Sequence, residues 1–344
     1  MHTHVATTSP PPVRARHGGL VLLLVALAQF MVILDVTVVN VALPEIGASL
    51  ELDRGTLTWI VTAYTMTLGG LLVLGGRIAD LAGARATFLL GLTIFTVASF
   101  TSGLATGGDL LVTSRVAQGL GAALLSPAAL SMLLQLFDGA ERDRALRIWA
   151  ALGGAGAAAG VMVGGALTSG PGWSWAFWIN VPVGVLLLLV VPRVVPALPR
   201  RDTGPIDVPG AILGTGAVAA AIYGLTRAGE AGWTSTETLA AGAAAVLLGA
   251  AFVHVETRAA NPLVPLGMVR KTHLPGGLAL MTVASAAMVS AFFLLSLLLQ
   301  QAQGYSPLET GMFFMPATMA VGLGAHIAGR ALPAFGPRAV APVG

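Results

Sequence analysis

The strongest constraint on this chain is a succession of ten long, mostly apolar runs. They lie near residues 19–43, 56–79, 86–106, 110–137, 145–169, 175–196, 207–228, 236–255, 274–302 and 307–329, and charges gather almost only between them. A bilayer core about 30 Å thick is crossed by about 20 apolar residues of helix. Inside hydrocarbon every backbone polar group needs a partner within the protein, so an apolar run of this length is a helix. Composition agrees: 56% of residues are hydrophobic and 10% charged, with mean hydropathy +0.84, where an ordinary soluble domain carries about 25% charged residues. The expectation is an all-α integral membrane protein with ten transmembrane helices.

The placement of the charges says more than their sum. With the N-terminus cytoplasmic, fifteen Lys and Arg fall on the inner side, from Arg14 and Arg16 to Arg330 and Arg338. The outer side has only Arg54 and Arg227, and Arg115 lies inside a run. This is the positive-inside pattern, so the formal charge of +3 and pI near 9.9 report topology and not nucleic-acid binding. The chain has no cysteine, which excludes a disulfide framework or a thiol metal site. Arg14 and Arg16 precede an Ala26-Leu27-Ala28 triplet that mimics a signal-peptide site. The apolar run continues past it, so a retained first helix is expected, in a multi-pass protein of the cell membrane. Residues 1–18, rich in Pro, Thr and His, read as a disordered cytoplasmic tail.

Six runs come in close succession over residues 19–196, and VPRVVPALPRRDTGPIDVPG at 191–210 then interrupts them with prolines and charges. Two further runs within 197–273 read as a linking pair, and 274–344 as a partial second bundle. A loose repeat supports a fold built from related bundles. GGRIADLAGARA at 75–86 and AGRALPAFGPRA at 328–339 share a Gly-Arg pair, a glycine six residues on and an arginine two beyond that.

Two full charges lie deep in these runs, Asp35 and Arg115. A charge at a helix centre costs roughly 2.5–3.5 kcal/mol on insertion scales and usually faces a cavity or partner. Asp35 is far from either end of its run and too short to snorkel. Desolvation penalises a carboxylate, which suits reversible protonation; a static buried ion pair is the alternative. Arg115, Gln118 and Gly119 follow at i, i+3 and i+4 and share one helix face. An arginine there can hold a nearby carboxyl charged or help eject its proton.

In GGRIADLAGARATFL, Asp80 can cap or pair at a helix end, Gly83 permits a tight turn and Arg85 can meet a neighbouring helix's negative C-terminus. An ordinary charged loop fits the spacing equally well. In ALGGAGAAAGVMVGGAL at 151–167, Gly153, Gly156, Gly160 and Gly164 recur every three or four residues beside Gly165. They make a smooth stripe for close helix packing, and packing between moving helices can be a gate. Asn40, Tyr64, Trp59, Gln118, Gln300, Gln301 and Gln303 are candidates to line a pathway or merely sit at interfaces. No Walker loop, HExxH or GxSxG occurs, so neither ATP-driven transport nor membrane hydrolysis has sequence support, and no enzyme activity or cofactor is expected.

Together these segments resemble the drug:proton antiporters of the major facilitator superfamily, in the fourteen-helix branch of multidrug and quaternary-ammonium exporters. LDVTVVNVALPEI (34–46) resembles the branch's first-helix motif and GGRIADLAGAR (75–85) the superfamily's loop between helices two and three. LVTSRVAQGLGAA (111–123) resembles the fourth-helix motif, and GWSWAFWINVPVG (172–184) and NPLVPL (261–266) are similar to further marks of the branch. The resemblance implies a major-facilitator-type bundle that exports hydrophobic or cationic drug-like molecules against protons, without ATP. It implies a proton or cation role for Asp35, proton coupling for Arg115, and a conformational latch at Gly76, Asp80, Gly83 and Arg85. The fifth-helix antiporter motif GPxxGG reads GVMVGG here, with Val161 in the proline position, and Leu81 and Ala84 replace basic residues of the loop motif.

Branch members carry six helices, a linking pair and six more. This sequence reaches Gly344 after the second helix of the last bundle, so the resemblance implies a C-terminally truncated chain. Such a chain could instead persist as a transport-inactive binding or assembly partner. Uptake by proton symport would use the same residues and differ only in the direction of substrate flux.

Overall fold

The structure is a computed structural model that describes residues 18–200, 204, 207–264, 266–267, 274–306 and scattered positions between 309 and 327. Most of these residues are helical, and none of them is in a strand. The helices are α1 (Gly18–Ser49), α2 (Arg54–Ala82), α3 (Ala84–Gly103), α4 (Gly108–Leu136), α5 (Gly139–Ser169), α6 (Trp175–Trp178), α7 (Asn180–Val194), α8 (Val208–Ala231), α9 (Thr236–Glu256) and α10 (Leu274–Leu297), the last followed by a π-helical turn, Leu298–Ala302. Seven spans among the described residues are long and apolar enough to cross a membrane: α1 to α4, α6 with α7, α8 and α9. Shorter apolar stretches, Ala159–Ser169 and Pro275–Met288, belong to α5 and α10. The expected tenth run, 307–329, and the second half of the repeat, 328–339, lie largely or wholly outside the described residues.

Three expected boundaries move. The first run does not stop at Pro44: α1 carries that proline internally and continues to Ser49. Proline removes one N–H and crowds the preceding turn, which shifts a boundary less in a membrane helix, where neighbours satisfy the freed carbonyl. α5 begins at Gly139, its first turns being the charged segment with Glu141, Arg142 and Arg144. The sixth run is divided at Ile179 into α6 and α7.

Helix α4 is the most buried of these spans and packs against α2, α3 and α1. Glycines allow that approach. A Cβ on Gly75 of α2 would overlap the Ala123 carbonyl of α4. Pro127, four residues beyond Ala123, has no N–H to offer that carbonyl, so a proline on one helix and a glycine on the next are two parts of one contact. On the other flank, a Cβ on Gly121 would sit 2.6 Å from the Phe95 nitrogen of α3, and one on Gly91 2.7 Å from the Gly121 oxygen.

The helices α8 and α9 pair with each other, and α8 packs on α2. The Thr215 hydroxyl donates to the Gly70 carbonyl at 2.8 Å, and the Trp59 and Tyr223 rings lie 6.0 Å apart. Exposed Leu225, Leu239, Val246 and Leu247 on this pair suit contact with lipid tails. The apolar core runs through α1 to α4 and α7, from Val21 and Tyr64 to Phe88, Leu125 and Leu187.

Candidate functional site

Inside that apolar core five helices bring polar side chains to one point. Asp35 stands near the middle of the 32-residue α1 and has 0% of its surface exposed. Arg115 of α4 is 1% exposed, and its NH1 lies 2.5 Å from Asp35 Oδ2. Arg115 follows the start of α4 at Gly108 by about two turns, or roughly 10 Å at 1.5 Å per residue. That is deeper than an arginine snorkelling to the surface needs to be.

The carboxylate has two further donors. Gln118 Nε2 and Asn180 Nδ2 each reach Asp35 Oδ1 at 3.0 Å. Arg115 Nε donates to the Ile60 carbonyl of α2 at 3.1 Å, and Arg115 NH1 to Gln118 Oε1 at 2.9 Å. The guanidinium carbon lies 4.1 Å from the centre of the Tyr64 ring, a cation–π arrangement that is strongest where water is absent. Gln118 also donates to Ser99 Oγ at 2.8 Å and accepts from Ser102 Oγ at 3.3 Å. The carboxylate thus accepts hydrogen bonds on both oxygens from three donors, one of them charged.

The sequence candidates separate into groups. Asp35, Arg115, Gln118 and Tyr64 converge on the network, and the Tyr64 hydroxyl is buried with no hydrogen-bond partner among the described residues. Asn40 is exposed on α1 and outside the network, and Gln300 is partly buried in the π-helical turn. Asn180, Ser99 and Ser102 were not singled out by sequence reasoning. Asn180 offered a signal, as the single amide in the apolar stretch WAFWINVPVG; the serines, in a helix rich in Ser and Thr, offered none.

The glycine stripe of α5 packs on α1 beside the acid. A Cβ on Gly160 would overlap Thr37, one on Gly164 would meet Val38 Cα at 3.0 Å, and one on Gly156 would meet Ile33 Cγ2 at 2.8 Å. Gly165 is buried in the same turn. These contacts bracket Asp35 along α1, so the helix that carries the acid lies directly on the helix with the smoothest surface.

The loop between α2 and α3 turns at Gly83, where φ is +95°, a value costly for any residue with a Cβ. Arg85 donates to the Pro192 carbonyl at 2.9 Å in the last turn of α7, where helix carbonyls lack partners. Gly76 faces Pro127 of α4, and Asp80 is partly buried near the end of α2.

Residues 25–344 match the model of the Major Facilitator Superfamily. Curated relatives include the puromycin resistance protein pur8 of Streptomyces alboniger, 38% identical over 97% of this chain and 66% of that protein. The lincomycin resistance protein of Streptomyces lincolnensis is 39% identical, covering 88% of this chain and 63% of that protein. The tetracenomycin C resistance and export protein of Streptomyces glaucescens is 38% identical, with 92% and 59% covered. The chain thus spans roughly three fifths to two thirds of the length of these relatives. Among solved structures, the proton:xylose symporter XylE superposes with TM-score 0.54 at 16% identity, covering 94% of this chain and 70% of that one. A sulfate complex of the peptide transporter POT gives 0.54 at 18% identity, covering 72% and 55%. With its all-helical membrane fold, and with the family model matching from Val25 to Gly344, this chain belongs to the Major Facilitator Superfamily.

Proposed function

We propose that the chain is part of a proton-coupled exporter of hydrophobic or cationic drug-like molecules, of the fourteen-helix drug:proton antiporter branch. The observation that carries the reading is a carboxylate buried near the middle of α1 and held by an arginine, a glutamine and an asparagine from two other helices. Such a group is expensive to keep in a membrane and has a direct use as a proton carrier. The names of the relatives, which speak of antibiotic resistance and export, support the substrate class.

In this reading Asp35 takes up a proton when the site opens outward. Protonation removes the charge that holds Arg115, and Arg115 then favours release of the proton when the site opens inward. The loop with Gly76, Asp80, Gly83 and Arg85 latches the inner end, and the α1–α5 contact at Gly156, Gly160, Gly164 and Gly165 accommodates movement. Asn40, Tyr64, Gln118 and Gln300 border the substrate path. The N-terminus is cytoplasmic, residues 19–196 form the first bundle, 197–273 the linking region and 274–344 part of the second. The protein resides in the cell membrane and needs no ATP or other cofactor. A proton moving down about 100 mV releases about 2.3 kcal/mol, and each pH unit adds about 1.4 kcal/mol, enough for one or two protons to sustain a drug gradient.

The test is drug-driven proton movement in proteoliposomes containing the purified protein. Movement in the parent and its loss in Asp35→Asn support the reading. If Asp35→Asn transports and couples like the parent, the assignment fails, and accumulation of drug on the proton-rich side separates export from uptake.

A further inference from the structure

Protonation of Asp35 changes what its neighbours must offer. As a carboxylate it accepts from three donors: Arg115 NH1 on Oδ2, and Gln118 Nε2 and Asn180 Nδ2 on Oδ1. As a carboxylic acid it carries an O–H and needs an acceptor. Arg115 cannot supply one, because a guanidinium has only donors. Gln118 is locked. Its Nε2 serves both Asp35 and Ser99, and its Oε1 receives Arg115 and Ser102. Turning that amide would set its NH2 against the guanidinium and break four bonds.

Asn180 differs from Gln118 in this respect. It is 1% exposed, at the first residue of α7, and among the described residues its amide makes one hydrogen bond, to Asp35 Oδ1. No second hydrogen bond ties the amide among the described residues, so a half-turn about χ2 exchanges N–H donor for C=O acceptor at the same place.

We propose that Asn180 is the positioning residue that reads the proton state of Asp35, donating to the carboxylate and, on protonation, rotating its amide to accept from the new O–H. The inference rests on the reading of Asp35 as the proton carrier. The other ionisable groups facing Asp35 are Arg115 from α4 and Tyr64 from α2; the described parts of α3, α5 and α7 bring none to this level. The amide therefore follows one titration, and α7 receives the signal at the end opposite the Pro192 carbonyl that Arg85 holds.

The chain has three asparagines, Asn40, Asn180 and Asn261, so side-chain 15N labelling of asparagine in the reconstituted protein yields few signals. The Asn180 signal is identified by its loss in Asn180→Leu. Infrared titration follows the Asp35 carboxyl band, identified by its absence in Asp35→Asn. The expected result is that the Asn180 amide signal moves with pH at the same midpoint as the carboxyl band and stays fixed in Asp35→Asn. A carboxyl that titrates while the Asn180 amide stays still overturns the inference and leaves the proton-carrier reading standing. A carboxyl that never titrates overturns both, and the parent measurement stands even if Asn180→Leu folds poorly.

Discussion

Asp35 and Asn180, 145 positions apart on α1 and α7, meet through a 3.0 Å hydrogen bond inside the bundle. With Arg115 they close a polar site that no surface reaches, since each is at most 1% exposed. Its stability rests on mutual compensation, and single substitutions should show this sharply.

Removing either member of the Asp35–Arg115 pair leaves an uncompensated buried charge, at a cost of about 3–5 kcal/mol. Asp35→Leu and Arg115→Met should each lower thermal stability in detergent markedly. The double variant should lose much less than the sum, because neither charge is then left alone. A double-mutant cycle on unfolding free energy checks the coupling, and strict additivity would contradict the pairing.

Gly75 and Gly76 are adjacent but differ in what surrounds them. A Cβ on Gly75 would run into the Ala123 carbonyl, whereas on Gly76 the nearest atom is Pro127 Cβ at 3.7 Å. Gly75→Ala should cost about 1–3 kcal/mol or more through overpacking, and Gly76→Ala should be close to neutral. Comparative thermal unfolding of the two variants decides it.

The α5 stripe gives a second contrast. Gly160→Ala pushes a methyl into Thr37, while Gly153→Ala meets nothing within 4 Å. The first should destabilise by about 1–3 kcal/mol. The second should be neutral or stabilise by about 0.5–1 kcal/mol, since alanine is the better helix former. Equal responses at the two sites would mean that α5 does not lie on α1 as described.

At the α2–α3 turn, Gly83→Ala forces a Cβ onto a φ of +95° and should cost about 1–3 kcal/mol. Arg85→Ala removes the donor to the Pro192 carbonyl and should cost about 1 kcal/mol, with Arg85→Lys intermediate. A cysteine pair placed across this loop and the end of α7 should crosslink faster in Arg85→Ala than in the parent.

At the start of α2, Asp53 caps the helix by accepting from the Thr56 backbone N–H at 2.6 Å. That bond first, and the Thr56 hydroxyl next, hold its carboxyl below the ordinary value of 3.8. A lowered value in the fold means stabilisation that is present above the unfolded value and lost as pH falls through the folded one. The stability gap between the parent and Asp53→Ala should therefore be full at neutral pH and close below 3.8, as unfolding at several pH values will show.

The sequence by itself determined the helices and the membrane. A run of 20 apolar residues has one way to satisfy its backbone in lipid, and that is local hydrogen bonding, legible without any partner. The same local logic marked Asp35 and Arg115, because a charge in such a run is conspicuous wherever it points, and it marked Gly83 and Arg85 at a turn. Tertiary structure alone decided which residues meet. Ser99 and Ser102 are unremarkable in α3 until α4 brings Gln118 to them, and Asn180 is one amide among tryptophans until α7 places it on Asp35. It also showed that Gly75, and not Gly76, lies against the Ala123 carbonyl, to which Pro127 has no N–H to offer. These are relations between helices far apart in the chain, set by close packing and by the need of each buried polar group for a partner, and helical periodicity carries no information about them.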